Sequence, residues 1–436
     1  MKAAPAVSRE FALLFVVMLT IAAGNTALQS VLPALGRSLH VADSAVAACF
    51  SVSALLWVIA APIWAKRSDT RGRRAMILTG VGGFAISLGT CGVFLAAGIN
   101  GWIAGSTAFL LFILGRLIYG TFGSAAPPAV QALIAGQTAR EERTRALTLL
   151  ASATGLGTIL GPAIAPFLIL GTVAGVEIGL AGPAFIACLF GAAVFIAVRA
   201  TLPRDTGYHV DGGHADGGHG AAIGYPSIGG QATGASVTAA TAEGIEQVGY
   251  TDPRIRQWMI VGLVLGHAQA MTGQAIGFLV IDRLHVAPAD ALQPTGIVLM
   301  MGAGAALLVQ WGIIPLLNLD PRRLVLVGMA LAAVGTALTG LGTSLYAIAV
   351  AYALASMGFG FSRPGFTAGA SLAVGPGAQG SVAGKVTSIN GASFVLGPSI
   401  GVGLYEASHA LPYLVAGAAC LVSLGFAWVG LRRPAD

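Results

Sequence analysis

Twelve long apolar runs constrain this sequence more than any other feature. They lie at 11–35, 44–64, 75–98, 105–136, 146–171, 181–201, 258–281, 293–317, 324–342, 345–372, 386–406 and 411–431. About 20 apolar residues in a helix span the hydrocarbon core of a bilayer, and each run reaches about that length. The first run is too long for the apolar core of a signal peptide, so we expect it to be retained. The runs predict an all-α polytopic membrane protein.

The small number of charged residues supports the same class of protein. Only 9% of the 436 residues are charged, whereas soluble domains carry about 25%. A soluble enzyme, a nucleic-acid-binding protein and a disordered chain are therefore excluded. The 62 glycines agree with a membrane bundle, because small residues let helices approach closely.

Motifs for enzymatic chemistry and for cofactors are absent from the sequence. No P-loop, HExxH sequence or Ser/His/Asp set occurs, so we expect no enzyme and no ATP-driven step in this chain. The four cysteines lie far apart inside apolar runs, which indicates packing residues rather than metal ligands; they are Cys49, Cys91, Cys188 and Cys420. We predict neither a metal site nor a cofactor.

A segment rich in glycine, alanine, serine and threonine divides the runs into two sets of six. The predicted units are an N-terminal six-helix bundle (1–202), a flexible linker (203–257) and a C-terminal six-helix bundle (258–436). Three histidines recur in the linker at five-residue spacing, namely His209, His214 and His219. A solvated linker is favoured over a metal site, because short histidine tracts are only a compositional signal.

The distribution of lysine and arginine predicts the orientation in the membrane. If the amino terminus is cytoplasmic, 19 of the 23 basic residues fall at cytoplasmic positions. Only Arg37 and Arg283 fall on the opposite side, and Arg116 and Arg363 lie within the membrane. The positive-inside rule accepts this topology, so both termini are expected in the cytoplasm. The expected location is the plasma membrane, namely a bacterial inner membrane.

Similar segments recur in the two halves at an almost constant offset. Thr158–Pro162 in the fifth run resembles Phe394–Pro398 in the eleventh, 236 positions later. Phe122 and Gly123 in the fourth run match Phe359 and Gly360 in the tenth, at an offset of 237. The halves are therefore predicted to be parallel repeats, related by an axis along the membrane normal.

The loop after the second run carries a motif. Its residues Asp69, Gly72, Arg73 and Arg74 resemble the loop signature of the major facilitator superfamily between helices 2 and 3. The segment departs from the signature at Ala65, where glycine is usual, and at Thr70, where a basic residue is usual. The alternative is a basic loop that serves only topology. The resemblance implies a cluster that holds the cytoplasmic side closed in one conformation.

Two motifs inside the membrane strengthen this resemblance. Arg116 begins a segment similar to the family's RxxqG motif, with Tyr119 in place of the common glutamine. Gly157, Gly161 and Pro162 resemble the antiporter motif GxxxGPxxGG, with Ala165 and Pro166 replacing the final glycines. The chain is thus similar to the drug/proton antiporter branch, over nearly its whole length except the linker. The resemblance implies twelve helices and export of small compounds.

A central cavity is expected between the halves. Its candidate residues are Asn25, Gln29, Arg116, His267, Met271, Gln274, Phe359, Arg363 and Asn390. Asn25 and Gln29 are four residues apart and should share one helix face. The buried arginines favour neutral or anionic amphiphiles over lipophilic cations as substrates.

The candidates for proton coupling are Arg116, His267 and Asp282, because no acidic residue occupies the middle of a run. His267 is the mid-run group whose type titrates near neutrality, although a packing histidine is an equal alternative. The expected partners are a small molecule, protons and the lipid bilayer, with no nucleic acid and a monomeric state. A proton-coupled metabolite importer and a non-transporting membrane receptor are the alternative functions.

Overall fold

A computed structural model describes residues 9–138, 140–203 and 246–431 of the chain. Within these residues twelve helical spans follow the twelve apolar runs. Spans 1 to 6 are Arg9–Ser38, Asp43–Arg71, Arg73–Ile99, Gly105–Gln137, Arg140–Ile164 and Gly182–Thr201. Spans 7 to 12 are Arg256–Leu284, Leu292–Leu317, Pro321–Leu341, Leu345–Leu372, Gln379–Ala407 and Leu411–Gly430. The prediction of an all-α polytopic protein is confirmed.

Eleven of the described helices are long and apolar enough to cross a membrane. Span 11 is not among them, although its 29 residues exceed the length that a bilayer requires. Its lower hydropathy reflects serine, threonine and asparagine residues such as Ser388 and Asn390. Several of these residues face other helices rather than lipid, so a less apolar helix is tolerated there.

Prolines change the helices to different degrees. Span 4 consists of two α-helices, Gly105–Phe122 and Ala126–Gln137, joined by a 3-10 turn directly before Pro127. Span 10 continues as one α-helix through Pro364. Span 8 contains a π-helical segment, Leu308–Ile313. The prolines of span 4 thus accompany a local change of helix type, because proline removes a backbone donor.

A short β-hairpin follows span 5, where the sequence analysis extended the apolar run to residue 171. Strands β1 (Leu170–Val173) and β2 (Val176–Gly179) pair antiparallel, and Ala174 and Gly175 form the turn with positive φ. The helix ends at Ile164 and a 3-10 turn continues to Leu168. Two-residue turns of this kind require φ above zero, for which the glycine is suited.

The two ends of the bundle are named from the elements that lie there. The hairpin side holds the β-hairpin, and Asn100 at the end of span 3 donates to the Glu177 carbonyl there at 2.8 Å. The linker side is the opposite end, at which the described parts of the chain begin and end. There Arg322 at the start of span 9 donates to the Leu431 carbonyl at 2.9 Å.

Part of the segment assigned to the linker packs on the second half. The Val248 amide donates to Ser381 Oγ at 3.0 Å, and the side chains of Val248 and Ile255 are buried. Span 7 then begins at Arg256. The histidine tract with His209, His214 and His219 lies outside the described residues.

The two six-helix halves touch on the hairpin side. Ser51 of span 2 and Ser399 of span 11 share a hydrogen bond of 2.7 Å. Deeper in the bundle, a Cβ built on Gly391 of span 11 would lie 3.1 Å from Val58 of span 2. Gly277 of span 7 approaches Pro33 of span 1, at 2.8 Å from a built Cβ to the proline ring.

Towards the linker side the same helix faces separate. Gly384 lies two helical turns from Gly391 on span 11, yet no described atom outside its own helix lies within 4 Å of its Cβ position. Spans 5 and 8 separate in the same way. A Cβ built on Gly296 of span 8 would lie 3.6 Å from the Pro162 carbonyl of span 5. Gly155, two turns before Pro162 on span 5, has no described atom from another helix within 4 Å of its Cβ position. The halves are closed on the hairpin side and apart on the linker side.

Candidate functional site

Arg116 is fully buried in the first half, against span 1. Its guanidinium donates to Asn25 Oδ1 at 2.5 Å. Its Cζ also lies 4.5 Å from the ring centre of Tyr119 and 5.5 Å from that of Phe50. Amide and aromatic groups can stabilise a cation in this way without a carboxylate. Two of the predicted cavity residues, Asn25 and Arg116, are thus in direct contact.

Arg363 is the buried arginine of the second half and lies between spans 7 and 11. It is 3% exposed. The guanidinium donates to Gln269 Oε1 and, at 3.5 Å, to Asn390 Oδ1. Arg363 and Asn390 were both predicted to line the central cavity, whereas Gln269 was not among the predicted cavity residues.

A pair of glutamines joins the halves across the centre. Gln29 Nε2 of span 1 donates to Gln274 Oε1 of span 7 at 2.8 Å, and both side chains are buried. Asn25 and Gln29 lie one helical turn apart on span 1, but they contact different halves. Span 1 therefore takes part both in the Asn25–Arg116 contact within the first half and in the Gln29–Gln274 contact with the second half.

The three remaining predicted cavity residues lie in the second half. His267 Nδ1 lies 2.8 Å from the Leu263 carbonyl and 3.3 Å from Ser393 Oγ. Because a carbonyl only accepts, Nδ1 carries the proton. Met271 is buried against Gly401 of span 11. Phe359 is buried in the hydrophobic core of the second half.

An ion cluster closes the hairpin side; it consists of Arg37, Asp43, Asp282, Tyr405 and His409. Arg37 donates to Asp43 at 2.5 and 2.6 Å and to Asp282 at 3.1 Å through two nitrogens. Tyr405 donates to Asp282 at 2.6 Å, and His409 Nε2 lies 3.6 Å from the same carboxylate. The cluster draws together spans 1, 2, 7 and 11.

Asp282 was selected as a candidate for proton coupling beside Arg283. The structure pairs Asp282 with Arg37 instead, while Arg283 donates to the Gly340 carbonyl at 3.0 Å. One feature of the sequence indicated that Arg37 is unusual, because Arg37 and Arg283 are the two basic residues predicted to lie on the non-cytoplasmic side. No feature of the sequence indicated a role for Tyr405.

The loop motif lies on the linker side. Gly72 joins spans 2 and 3 with φ of 89°, a conformation that glycine adopts without strain. Arg73 donates to the Ala132 carbonyl at 2.7 Å and Arg74 to the Arg199 carbonyl at 2.6 Å, both within the first half. The side chain of Asp69 lies outside the described residues.

The glycines of the span 5 motif bring this helix into close contact with span 1. A Cβ built on Gly157 would lie 2.8 Å from the Leu19 carbonyl, and one on Gly161 would lie 2.5 Å from the Ala23 carbonyl. Thr26 Oγ1 lies against Gly161 and donates to the Gly157 carbonyl at 3.2 Å. Pro162 is inside the helix. Only glycine permits this approach of two backbones.

The sequence pattern of the Major Facilitator Superfamily matches residues 14–318, which is more than half of the chain. The chain belongs to the Major Facilitator Superfamily. This is a superfamily of membrane transporters rather than of enzymes, and it accounts for the two six-helix halves seen here. The predicted fold and the expectation of a non-enzymatic membrane protein are thereby confirmed.

Two known proteins are similar to segments of the chain. Multidrug resistance protein 1 of Bacillus subtilis (strain 168) is 33% identical over 141 residues, 32% of this chain and 32% of the relative. The class B tetracycline resistance protein of Escherichia coli is 33% identical over 187 residues, 42% of this chain and 41% of the relative. The chain thus aligns with about a third to two fifths of each relative's length. These relatives agree with the drug/proton antiporter branch.

A solved structure supports the fold over the whole chain. A bacterial homologue of the iron transporter ferroportin, in an inward-facing state, superposes with a TM-score of 0.68 at 15% sequence identity. The superposition covers 98% of this chain and 100% of that chain. At this identity the likeness concerns the fold alone.

Proposed function

We propose that this protein is a proton-driven exporter of small amphiphilic compounds that works by alternating access. The observation that carries the proposal is the asymmetry of the interface between the halves. An ion cluster closes it on the hairpin side, and the facing helices separate on the linker side. A transporter of this kind exposes a central site to one side at a time, as one half rocks against the other.

Export rather than import is supported by the motif in span 5. Gly157 and Gly161 hold this helix against span 1, and the sequence around them resembles the antiporter motif. The two relatives are named for resistance to several drugs and to tetracycline. Small amphiphilic compounds are therefore the proposed substrates.

The basic residues support a location in the plasma membrane of a bacterium, with the linker side in the cytoplasm. Arg73, Arg74 and Arg322 are among the basic side chains on the linker side, where the positive-inside rule places cytoplasmic loops. With this orientation the described conformation faces inward. We propose that a monomer carries out the cycle, since each half supplies its own buried arginine.

Asp282 is the proposed site of proton binding among the three candidates. It accepts hydrogen bonds from Arg37 and Tyr405, so it holds both halves in the closed arrangement. A proton on the Asp282 carboxylate removes its negative charge and weakens the pair with Arg37. Asp43, Glu406, His409 and Arg283 are the other charged or titratable groups nearby. Asp43 keeps Arg37 in place. Protonation from the hairpin side would then favour opening of that side.

Everted membrane vesicles test this function, because they turn the linker side outward if that side is cytoplasmic. Respiration acidifies their interior, so an exporter should accumulate compounds from a panel containing ethidium, tetracycline and 2-naphthoate. We expect uptake of at least one compound, abolished by an ionophore that collapses the proton gradient and by Arg116→Ala. Equal uptake with and without the protein across the panel would contradict export.

The same assay separates the alternative functions. An importer that moves a compound together with protons would release preloaded compound from everted vesicles when the gradient is formed. A non-transporting receptor would bind a compound without any gradient-driven movement. Asp282→Asn should uncouple movement of the compound from the proton gradient, whereas His267→Gln, the matched control, should retain coupling.

A further inference from the structure

Arg363 is a buried cation whose hydrogen-bond partners among the described residues are neutral groups. Its guanidinium donates to the amide oxygens of Gln269 and Asn390, and within the described part of the chain no carboxylate forms an ion pair with it. Its Nε is also buried and has no hydrogen-bond partner among the described residues. Hydrogen bonds to amides satisfy some of the guanidinium donors, but they supply no negative charge.

The second unusual group lies one helical turn away on the same helix face. Thr367 Oγ1 is buried and has no hydrogen-bond partner among the described residues. Thr367 lies four residues after Arg363, on the side towards the linker side. Two hydrogen-bonding groups on one face of span 10 are therefore available to a further partner.

The position of Arg363 matches the point where the halves separate. Its partner Asn390 precedes Gly391, which still approaches Val58 of the first half at 3.1 Å from a built Cβ. Gly384, two turns further towards the linker side, no longer has a close neighbour from the other half. Asn390, a partner of Arg363, thus adjoins the last position on span 11 at which a glycine of this face still approaches the first half.

An uncompensated guanidinium in a membrane protein requires a counter-charge or water. A buried charge costs several kcal/mol unless it is paired, and intramembrane arginines commonly mark substrate pathways. A planar carboxylate fits the fork of guanidinium donors through two parallel hydrogen bonds.

We propose that Arg363, held by Gln269 and Asn390, binds the carboxylate of an amphiphilic organic anion, and that such anions are substrates. This inference rests on the proposed transport function and specifies its substrate class. Arg116 is a less suitable anion site, because its guanidinium already lies on two aromatic rings.

Binding of radiolabelled 2-naphthoate to the full-length protein in detergent tests the proposal. Competition by 2-naphthamide and 2-naphthylmethylammonium isolates the head group, because the three compounds share one ring system. We expect Arg363→Gln to weaken naphthoate binding about 10- to 100-fold, the range for a charge-assisted hydrogen-bonded pair. Arg363→Lys keeps the charge and should retain part of the affinity. The matched control Arg322→Gln removes a surface arginine on the linker side and should bind as the wild type does.

Several outcomes would overturn the proposal. One is equal naphthoate affinity in the wild type and in a folded Arg363→Gln protein. Another is competition by the amide or the ammonium compound as strong as that by unlabelled naphthoate. Displacement by chloride or by phosphatidylglycerol at lower concentrations than by naphthoate would assign the site to an inorganic anion or to a lipid head group instead. If Arg363→Gln does not fold, loss of selectivity for naphthoate in Arg363→Lys decides the question.

Failure of this inference is distinguishable from failure of the proposed function. Binding is measured without any gradient, so naphthoate can bind through Arg363 in a protein that moves nothing. Conversely, gradient-driven export of ethidium with no selectivity for carboxylates would leave the exporter intact and refute the anion site.

Discussion

Arg37 at the end of span 1 and Asp282 at the end of span 7 form a two-point ion pair between the halves, with both N···O distances at 3.1 Å. The pair joins residues from different repeats, whereas Arg37 and Asp43 belong to the same half. Arg37 therefore pairs with Asp43 within the first half and with Asp282 across the interface between the halves. Arg37 is thus one of several side chains that close the hairpin side, together with the contact between Ser51 and Ser399.

Removal of Arg37 should loosen the hairpin side. Its side chain is 32% exposed, so we take the interhalf pair as worth about 1 kcal/mol, which is about a fivefold change in the ratio of open to closed protein. Spin labels at Trp102→Cys and Tyr346→Cys, both exposed positions near the hairpin side, in a Cys188→Ala background, would report the separation. We expect Arg37→Ala to increase the population with a long label distance.

The control for this measurement is the neighbouring basic residue of span 7. Arg283→Ala removes a donor to the Gly340 carbonyl of its own half, so the label distances should stay as in the wild type. Asp282→Asn should resemble Arg37→Ala, because it removes the same charge pair. Identical distance distributions in all four proteins would show that the pair does not hold the halves together.

Gly161→Ala should destabilise the first half. The added Cβ would meet Thr26 Oγ1 and lie 2.5 Å from the Ala23 carbonyl, so spans 1 and 5 must move apart. Overpacking of this kind costs about 1–3 kcal/mol. Thermal unfolding of the purified protein in detergent would measure the loss as a lower midpoint.

A second glycine of the same helix provides the matched control. Gly155 has no described atom within 4 Å of its Cβ position outside its own helix turn. Gly155→Ala should therefore raise stability slightly, by about 0.5–1 kcal/mol, since alanine loses less backbone entropy in a helix. An equal fall in the midpoint for both variants would refute the close packing at Gly161.

Gln269→Glu should change stability and substrate binding in opposite directions. A carboxylate at this position would lie against Arg363 and neutralise the buried charge, so the unfolding midpoint should rise. The same carboxylate would compete with an anionic substrate and lower 2-naphthoate affinity about tenfold or more. Gln257→Glu, on the same helix but at its start beside Gly430, serves as the control and should leave naphthoate affinity within about twofold of the wild type. Unchanged affinity in Gln269→Glu would argue against an anion at Arg363.

Asn25→Leu should destabilise the protein more than Asn25→Asp. Leucine removes the amide oxygen that accepts from Arg116, and loss of a hydrogen bond to a buried charge costs about 1.5–3 kcal/mol. Aspartate retains an acceptor and adds a compensating charge. Midpoints of thermal unfolding for the two variants would provide the comparison, and a higher midpoint for the leucine variant would contradict this account of Arg116.

The helices were predictable because their signal is local. A bilayer requires about 20 apolar residues for each helix, so composition alone predicts spans such as Arg9–Ser38 and Leu411–Gly430. The motif in span 5 was also readable, since close helix packing requires glycine at fixed spacing. The β-hairpin formed by Leu170–Val173 and Val176–Gly179 was missed, because strands of four residues are too short to show a distinct periodicity.

The sequence by itself determined the membrane class, the two six-helix repeats and the presence of two intramembrane arginines without mid-membrane acids. Only the tertiary structure decided what those arginines contact. Gln269 and Arg363 are 94 residues apart, and Arg37 and Asp282 are 245 apart. Hydropathy depends on each residue's own chemistry, whereas these contacts depend on how helices distant in the chain pack, and no local pattern encodes that packing.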